Sequence, residues 1–400
     1  MKILVLNCGS TTIKYQLIDM EKMDVIAKGK CDKVGIDGSV IEYKNVEKKI
    51  EENRSIAMPT HKEACEAIFD ILTDKNIGVV TSLNEINAVG HRAVHGGEKF
   101  KEAVLITDNV IDVMNSLSDL APLHSPAILM GIDAIKKINS SIPNVAVFDT
   151  AFHQSIPEKN YLYGINYNYY KNDGIRKYGF HGTSYEYILN RLTEILNKPK
   201  DTINCIVCHL GGGASMCAIK DGKSYDTSMG FTPLEGLLME TRSGDLDPAI
   251  VTRIMKKYNL TPEEMELELN KKSGRLGLCG IGDHRAAMVA IEQGNELAKT
   301  AIDIQTNRTK KYIGAYMAEL NRVDAIVFTA GIGENSYTER ESILSDMDCL
   351  GIELDFELNK NGSRRESLIT KETSKIPVYI IPTNEELEIA IQTEKVISNG

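Results

Sequence analysis

Cys205, Cys208 and His209 lie in the stretch NCIVCHLGGGAS, residues 204–215, at the C-x-x-C-H spacing that attaches c-type haem. The Gly211-Gly212-Gly213 run that follows reads differently, as a loop that brings an anion against bare backbone. The apolar, β-branched segment TINCIVCHL has the composition of a buried strand. Positions three apart on a strand face opposite sides, so the two thiols cannot grip one ligand and read as core residues. Further glycine turns follow strand-like runs at Gly9, Gly96-Gly97, Gly331 and Gly333, and several such nests in one chain point to a polyphosphate. No G-x-x-x-x-G-K-[ST] is present, and the G-x-G at 331–333 lacks its third glycine and a spaced acidic residue, which excludes a Walker loop and a dinucleotide fingerprint. Arg92, His124, Asp149, His181, Arg242 and Glu385 fall at strand ends or in turns. Arginine there suits a bidentate grip on carboxylate or phosphate. His91 and His95 are four apart, but on a strand and turn and without the glutamate of H-E-x-x-H, so zinc is not implied.

The elements that must position these residues come twice. The first half reads strand, turn, strand (KILVLN, CGST, TIKYQLID), with strand-like pieces to about residue 45 and a helix near 60–75. INAVGHRAVHGGEKF then runs as a strand into a glycine turn, SPAILMGIDAIKKI is helical, and NVAVFDTAFHQS is a strand and loop. The second half gives INCIVCHLGGGASMCAIKDGKSYDTS as strand, glycine turn and strand, a long helical stretch over about 285–320, VDAIVFTAGIGENS as a strand breaking into glycines, and a strand, turn and final helix. ILVLNCGSTTIKYQLID pairs with IVCHLGGGASMCAIKDG, and INAVGHRAVHGG with DAIVFTAGIGEN. Two similar α/β halves facing one another would leave a cleft for a ligand.

Composition narrows the classes. Four hundred residues suggest two domains, and 42% apolar with 26% charged residues is ordinary for a globular chain. A net charge of −10 disfavours nucleic acid and anionic membranes as partners. The start MKILVLNCGS has too short an apolar run for a secretory leader, and no run spans a bilayer. The eight scattered cysteines then read as reduced thiols in the cytoplasm.

In order along the whole chain, NCGSTTIKYQL, GHRAVHGGE, LAPLHSPA, VFDTAFHQ, YGFHGTS, CHLGGGAS, DTSMGFTPLEGLLMETRSGDLDP, FTAGIGENS and IPTNEEL resemble the acetate kinase family. Long segments such as DTSMGFTPLEGL have no generic structural reason to recur. The resemblance implies two ribonuclease-H-like lobes of the actin-like ATPase kind, residues 1–150 with a C-terminal helix 385–400 packed back on them, and residues 151–384 as the nucleotide-binding lobe. It implies a cytoplasmic homodimer that forms acetyl phosphate and ADP reversibly from acetate and ATP, with Mg²⁺, or Mn²⁺ in its place.

By the same resemblance, Asp149, His181 and Arg242 are catalytic, and Arg92 grips the substrate carboxylate with His124 lining the site. Val94, Leu123, Phe180 and Pro233 form the pocket for the methyl group. Lys14, the HLGGG loop (His209, Leu210, Gly211, Gly212, Gly213), Asp283, His284 and Arg285, and Gly331, Ile332, Gly333, Glu334 and Asn335 hold the nucleotide, and Asn7 and Glu385 the metal. A simple general-base role does not suit Asp149, because a carboxylic acid of pKa about 4 has no proton left to remove at pH 7.

Four positions depart from the family pattern. Gly212 stands where asparagine is usual, Ser125 likewise, Glu240 where glycine is usual, and Tyr185 where histidine is usual. Glu240, two residues before Arg242, is expected to pair with it or crowd the cleft. The alternatives are a kinase for longer acids such as propionate or butyrate, a non-catalytic nucleotide-binding module of the actin and heat-shock chaperone sort, and a kinase disabled by Gly212 and Glu240.

Overall fold

The protein is described by a computed structural model covering residues 1–120 and 125–399. Leu123 and His124 lie outside the described residues. The chain divides into two compact units, one made of Met1–Phe152 with Asn384–Gly400, the other of His153–Thr383. Among the described residues no helix is long and apolar enough to cross a membrane.

In the first unit the strands are β1 (Lys2–Cys8), β2 (Thr12–Asp19), β3 (Asp24–Asp32), β4 (Val40–Asn45), β5 (Ile50–Ser55), β6 (Ala88–Ala93), β7 (Val104–Leu105) and β8 (Asn144–Phe148). They form one sheet in the order β5-β4-β3-β2-β1-β6-β8-β7. The meander β1 to β5 is antiparallel, and β6 and β8 join β1 in parallel. In the second unit β9 (Cys205–Leu210), β10 (Ala214–Lys220), β11 (Lys223–Thr227), β12 (Ala325–Thr329), β13 (Ser367–Leu368) and β14 (Val378–Ile380) run β11-β10-β9-β12-β14-β13. There too the first three strands are antiparallel and the next two parallel to β9. The five strands β3-β2-β1-β6-β8 and β11-β10-β9-β12-β14 therefore repeat one topology, the ribonuclease-H-like sheet. β1 and β9 sit at its centre, which is why both read as near-continuous apolar runs.

Three elements differ from the sequence reading. The meander continues past residue 45 into β5, whose alternating half-exposed residues carry little apolar signal. The helical stretch over 285–320 is two helices, His284–Glu292 and Glu296–Leu320, separated at Gly294 (φ +88°), with the Asn295 side chain capping the second. Gly331 and Gly333 lie in a short helix, Ala330–Asn335, rather than a loop. Ala330 (φ +65°) makes the sharp turn out of β12. A Cβ at Gly333 would meet the Phe328 carbonyl carbon at 3.4 Å and the Cys208 oxygen at 3.5 Å, ordinary contact distances, so that helix packs on the strand ends without the position demanding glycine.

The C-terminal helix Glu385–Asn399 completes the first unit by packing on β1, β6 and β8. A Cβ on Gly90 of β6 would lie 2.5 Å from Thr393 Oγ1 and 2.9 Å from an Ile389 methyl, so only glycine lets the helix seat there. Ile389 and Ala390 join Ile3, Val5, Val145 and Val147 in the core beneath it. Cys205, Cys208 and Cys217 are buried free thiols in the second sheet, and burial pushes each above its ordinary range.

His91 and His153 are buried neutral imidazoles, His91 bonded to Asn144 Oδ1 (2.7 Å) and His153 to Ser224 Oγ and the Phe180 carbonyl (2.7 and 2.9 Å). Burial lowers each to about 4 from 6.5. An unfolded chain protonates these rings near pH 6.5 and the folded one only near 4, so stability falls as pH drops through that window, by up to about 2 kcal/mol per ring at pH 5. Thermal unfolding should show a lower Tm at pH 5 than at pH 7, with a shallower pH slope in His153→Gln. Equal Tm values at the two pH values would count against it.

Candidate active site

Each unit carries one cluster of the residues singled out above. In the first, Arg92 near the end of β6 faces Asp149 just past β8, because parallel neighbours bring their C-terminal ends to one edge. Arg92 Nε donates to both Asp149 oxygens (3.1 and 3.2 Å) and Nη2 to Oδ2 (2.8 Å). Its Nη1 lies 3.7 Å from Glu385 Oε2, at the start of the C-terminal helix. Burial opposes the Arg92 charge, but Asp149 and Glu385 outweigh it and hold the guanidinium protonated. Burial and the Asp149 charge raise the Glu385 carboxyl, with Arg92 acting the other way. Asn7 and Lys14, opposite one another on β1 and β2, line a neighbouring pocket of about 420 Å³ with Glu386. Val94 packs against the core around Ala93 and Phe148.

In the second unit the GGG loop joins β9 to β10, and an arginine and a histidine converge over it. Arg242 Nη1 and His181 Nε2 come within 3.5 and 3.8 Å of where a Gly213 side chain would begin. His181 adopts a left-handed backbone (φ +58°) as the residue preceding the helix Gly182–Leu196. Its Nδ1 is bonded to Ser215 Oγ (2.8 Å), which shares a 2.5 Å hydrogen bond with the Tyr185 hydroxyl. Its ring stacks on His209, centroids 4.0 Å apart, and His209 is held in turn by Ser184 (2.9 Å). Arg242 donates to the Pro233 carbonyl (3.1 Å) and to Met239 Sδ (3.7 Å). Burial lowers its pKa and no carboxylate restores it, so the expected pairing with Glu240 does not form. Leu210 is fully buried, which leaves only its backbone to face a ligand. Phe180 is buried beside His153.

A pocket of about 450 Å³ adjoins the loop, lined by Gly211, Gly212, Glu240, Arg275, Asp283, His284, Arg285, Gly331, Ile332 and Asn335 among others. Asp283 caps the helix His284–Glu292 through Ala286 N (2.8 Å), and His284 bonds to buried Glu339 (3.2 Å). Asn335 ties Gly331 O (2.7 Å) to Arg364 (2.8 Å), and Glu334 accepts from Thr383 N (3.1 Å). Buried Arg275 holds the floor, donating to Gly282 O (2.9 Å) and to Gln305.

The sequence pattern of the acetokinase family matches residues 2–391. The chain belongs to the acetokinase family. It is 51% identical over 400 residues to an acetate kinase of Dictyoglomus turgidum, covering 99% of this chain and 98% of that one. Its fold superposes on a crystal structure of Porphyromonas gingivalis acetate kinase with a TM-score of 0.96 at 45% identity, and on a propionate kinase of Francisella tularensis with 0.92 at 39%, each over 99% of both chains.

Within this acetokinase, motif spacing marked the loop and the arginines. Ser215, Ser184 and Arg275 carried no such signal, since their partners His181, His209 and Gln305 lie at least 25 residues away, and Tyr185 stood out only as a departure from the family pattern.

Proposed function

We propose that the protein is an acetate kinase, moving the γ-phosphoryl group of ATP reversibly to acetate by direct in-line transfer to give acetyl phosphate and ADP. The observation that carries this reading is the convergence of Arg242 and His181 over the bare backbone at Gly213, in a chain half identical to acetate kinases along its length. In the forward direction an acetate oxygen attacks the γ-phosphorus while the bond to the β-phosphate oxygen breaks, and that electron pair leaves with ADP. Two anions must be held together, so the residues' task is charge and position. Arg92, fixed in orientation by Asp149, neutralises and aims the acetate carboxylate. Arg242 and His181 donate to equatorial oxygens as charge shifts onto them, with His181 Nδ1 occupied by Ser215 so that Nε2 faces the loop. Val94, Phe180 and Pro233 shield the methyl group, and the loop with residues 283–285 and 331–335 holds the nucleotide.

A divalent cation fits the first cluster. Glu385 Oε1 is buried with no hydrogen-bond partner, and a carboxylate oxygen together with an amide oxygen such as that of Asn7 is the hard donor chemistry magnesium takes. Asn7 and Glu385 would hold it, and when bound it supplies charge neutralisation for the nucleotide phosphates. Exposed Ile250, Tyr258 and Leu267, on the helices Pro248–Tyr258 and Pro262–Lys271, support a homodimer as part of the same reading, and we place the enzyme in the cytoplasm.

The test is hydroxamate trapping of acyl phosphate from MgATP with acetate, propionate and butyrate on one preparation. Acetate should give the highest kcat/KM, with propionate about 10- to 200-fold below it, the discrimination one methylene allows. A higher value with propionate would move the chain to the longer-acid reading, and no product with any acid would end the kinase reading.

A further inference from the structure

Two of the four departures from the family pattern touch one another. The Glu240 backbone N–H donates to Gly212 O (3.2 Å), and its Oε2 lies 2.8 Å from where a Gly212 side chain would begin. The same carboxylate leans on a second glycine. A Cβ on Gly282 would lie 3.0 Å from Glu240 Cγ and 3.3 Å from Oε1. Glu240 thus fills, from the side, the room that a side chain at 212 would take, and it lines the pocket with Arg275 and Asp283. No hydrogen bond or ion pair holds its oxygens among the described residues. Arg275 feels its charge but donates to Gly282 O and Gln305 instead.

The position of this acceptor defines what it can take. Gly212 belongs to the loop under Arg242 and His181, where phosphate oxygens bind on the reading above, and Gly282 adjoins Asp283, His284 and Arg285, which on the same reading take the adenosine end of the nucleotide. A carboxylate that bridges the two faces the part of a nucleotide between its phosphates and its base. That part is the ribose, whose hydroxyls are hydrogen-bond donors. Phosphate oxygens, being anionic acceptors, are repelled by it.

Resting on the assignment of this pocket to a nucleotide, we propose that Glu240, in the space left by Gly212, accepts from the ribose hydroxyls and makes this kinase select ribonucleotides. A hydrogen bond to a charged group is strong enough to give at least about tenfold discrimination. The two positions act as one unit, because a methyl at 212 would push the flexible carboxylate end aside without touching backbone.

Equilibrium binding of ADP, 2′-deoxy-ADP and 3′-deoxy-ADP by calorimetry, with Mg²⁺, tests this without turnover. Wild type should bind ADP at least about tenfold more tightly than one or both deoxy forms. Glu240→Gln and Gly212→Ala should each bring the ratio within about threefold, and Gly212→Ala should add nothing in a Glu240→Ala background. Equal affinity of the wild type for all three, or a ratio unchanged by Glu240→Gln, would overturn the proposal. So would a Glu240→Gln effect that falls equally on all three ligands, the result expected if the carboxylate acts only through charge on the phosphates or their metal. No ADP binding at all would overturn it together with the nucleotide assignment. Selective binding in a protein that makes no acyl phosphate would uphold it while ending the kinase reading.

Discussion

Arg92→Ala is expected to lose stability and activity together. It strips the partner from Asp149, whose side chain is only 3% exposed, and an uncompensated buried carboxylate costs about 3–5 kcal/mol. Urea unfolding should show that loss, and acyl phosphate formation should fall to background because nothing aims the acetate. Arg92→Met combined with Asp149→Leu separates the two effects. An apolar pair of similar volume should recover part of the stability, Glu385 then lacking its cation, and remain inactive. A single truncation as stable as wild type, with unchanged KM for acetate, would remove Arg92 from both roles.

Arg242→Ala should behave in the opposite way. Its guanidinium is bonded to a carbonyl and a thioether rather than to a carboxylate, so no buried charge is stranded by its removal. Stability should move by no more than about 1 kcal/mol. The catalytic rate should fall about 10³-fold or more, the scale for a donor that acts on charge developing in phosphoryl transfer. KM for both substrates should change little. Arg242→Lys should recover only a small part, because an ammonium cannot present two parallel donors to a phosphoryl group. A fall in affinity with kcat intact would assign Arg242 to ground-state binding instead.

Much of this was legible in the residues. Central strands such as β1 and β9 are buried on both faces, so their sequences are near-continuous apolar runs, and glycines follow them at the turns. That made the duplicated topology readable from composition and order. What could not be read depended on distant partners or on local dihedrals. The relay from Tyr185 through Ser215 to His181 joins a helix to a strand 30 residues away, and no spacing rule reports it. Ala330, with its left-handed backbone, takes the turn that Gly331 and Gly333 were expected to make. Proximity in sequence also misled, since Glu240 turns to Gly212 and Gly282 and leaves Arg242 without it.

Because the first unit is built from both ends of the described chain, with all of His153–Thr383 between them, its assembly is ordered in time. On a ribosome the segments bearing Asn7, Arg92 and Asp149 emerge early, while the helix that closes over β6 and brings Glu385 is made after the whole second unit. Until then the face of β6 at Gly90, which that helix covers, has no cover. A nascent chain stalled before residue 385 would carry the Gly211–Gly213 loop but lack the Glu385 carboxylate that pairs with Arg92, so prematurely terminated products should be recognisable to proteolysis and incapable of turnover.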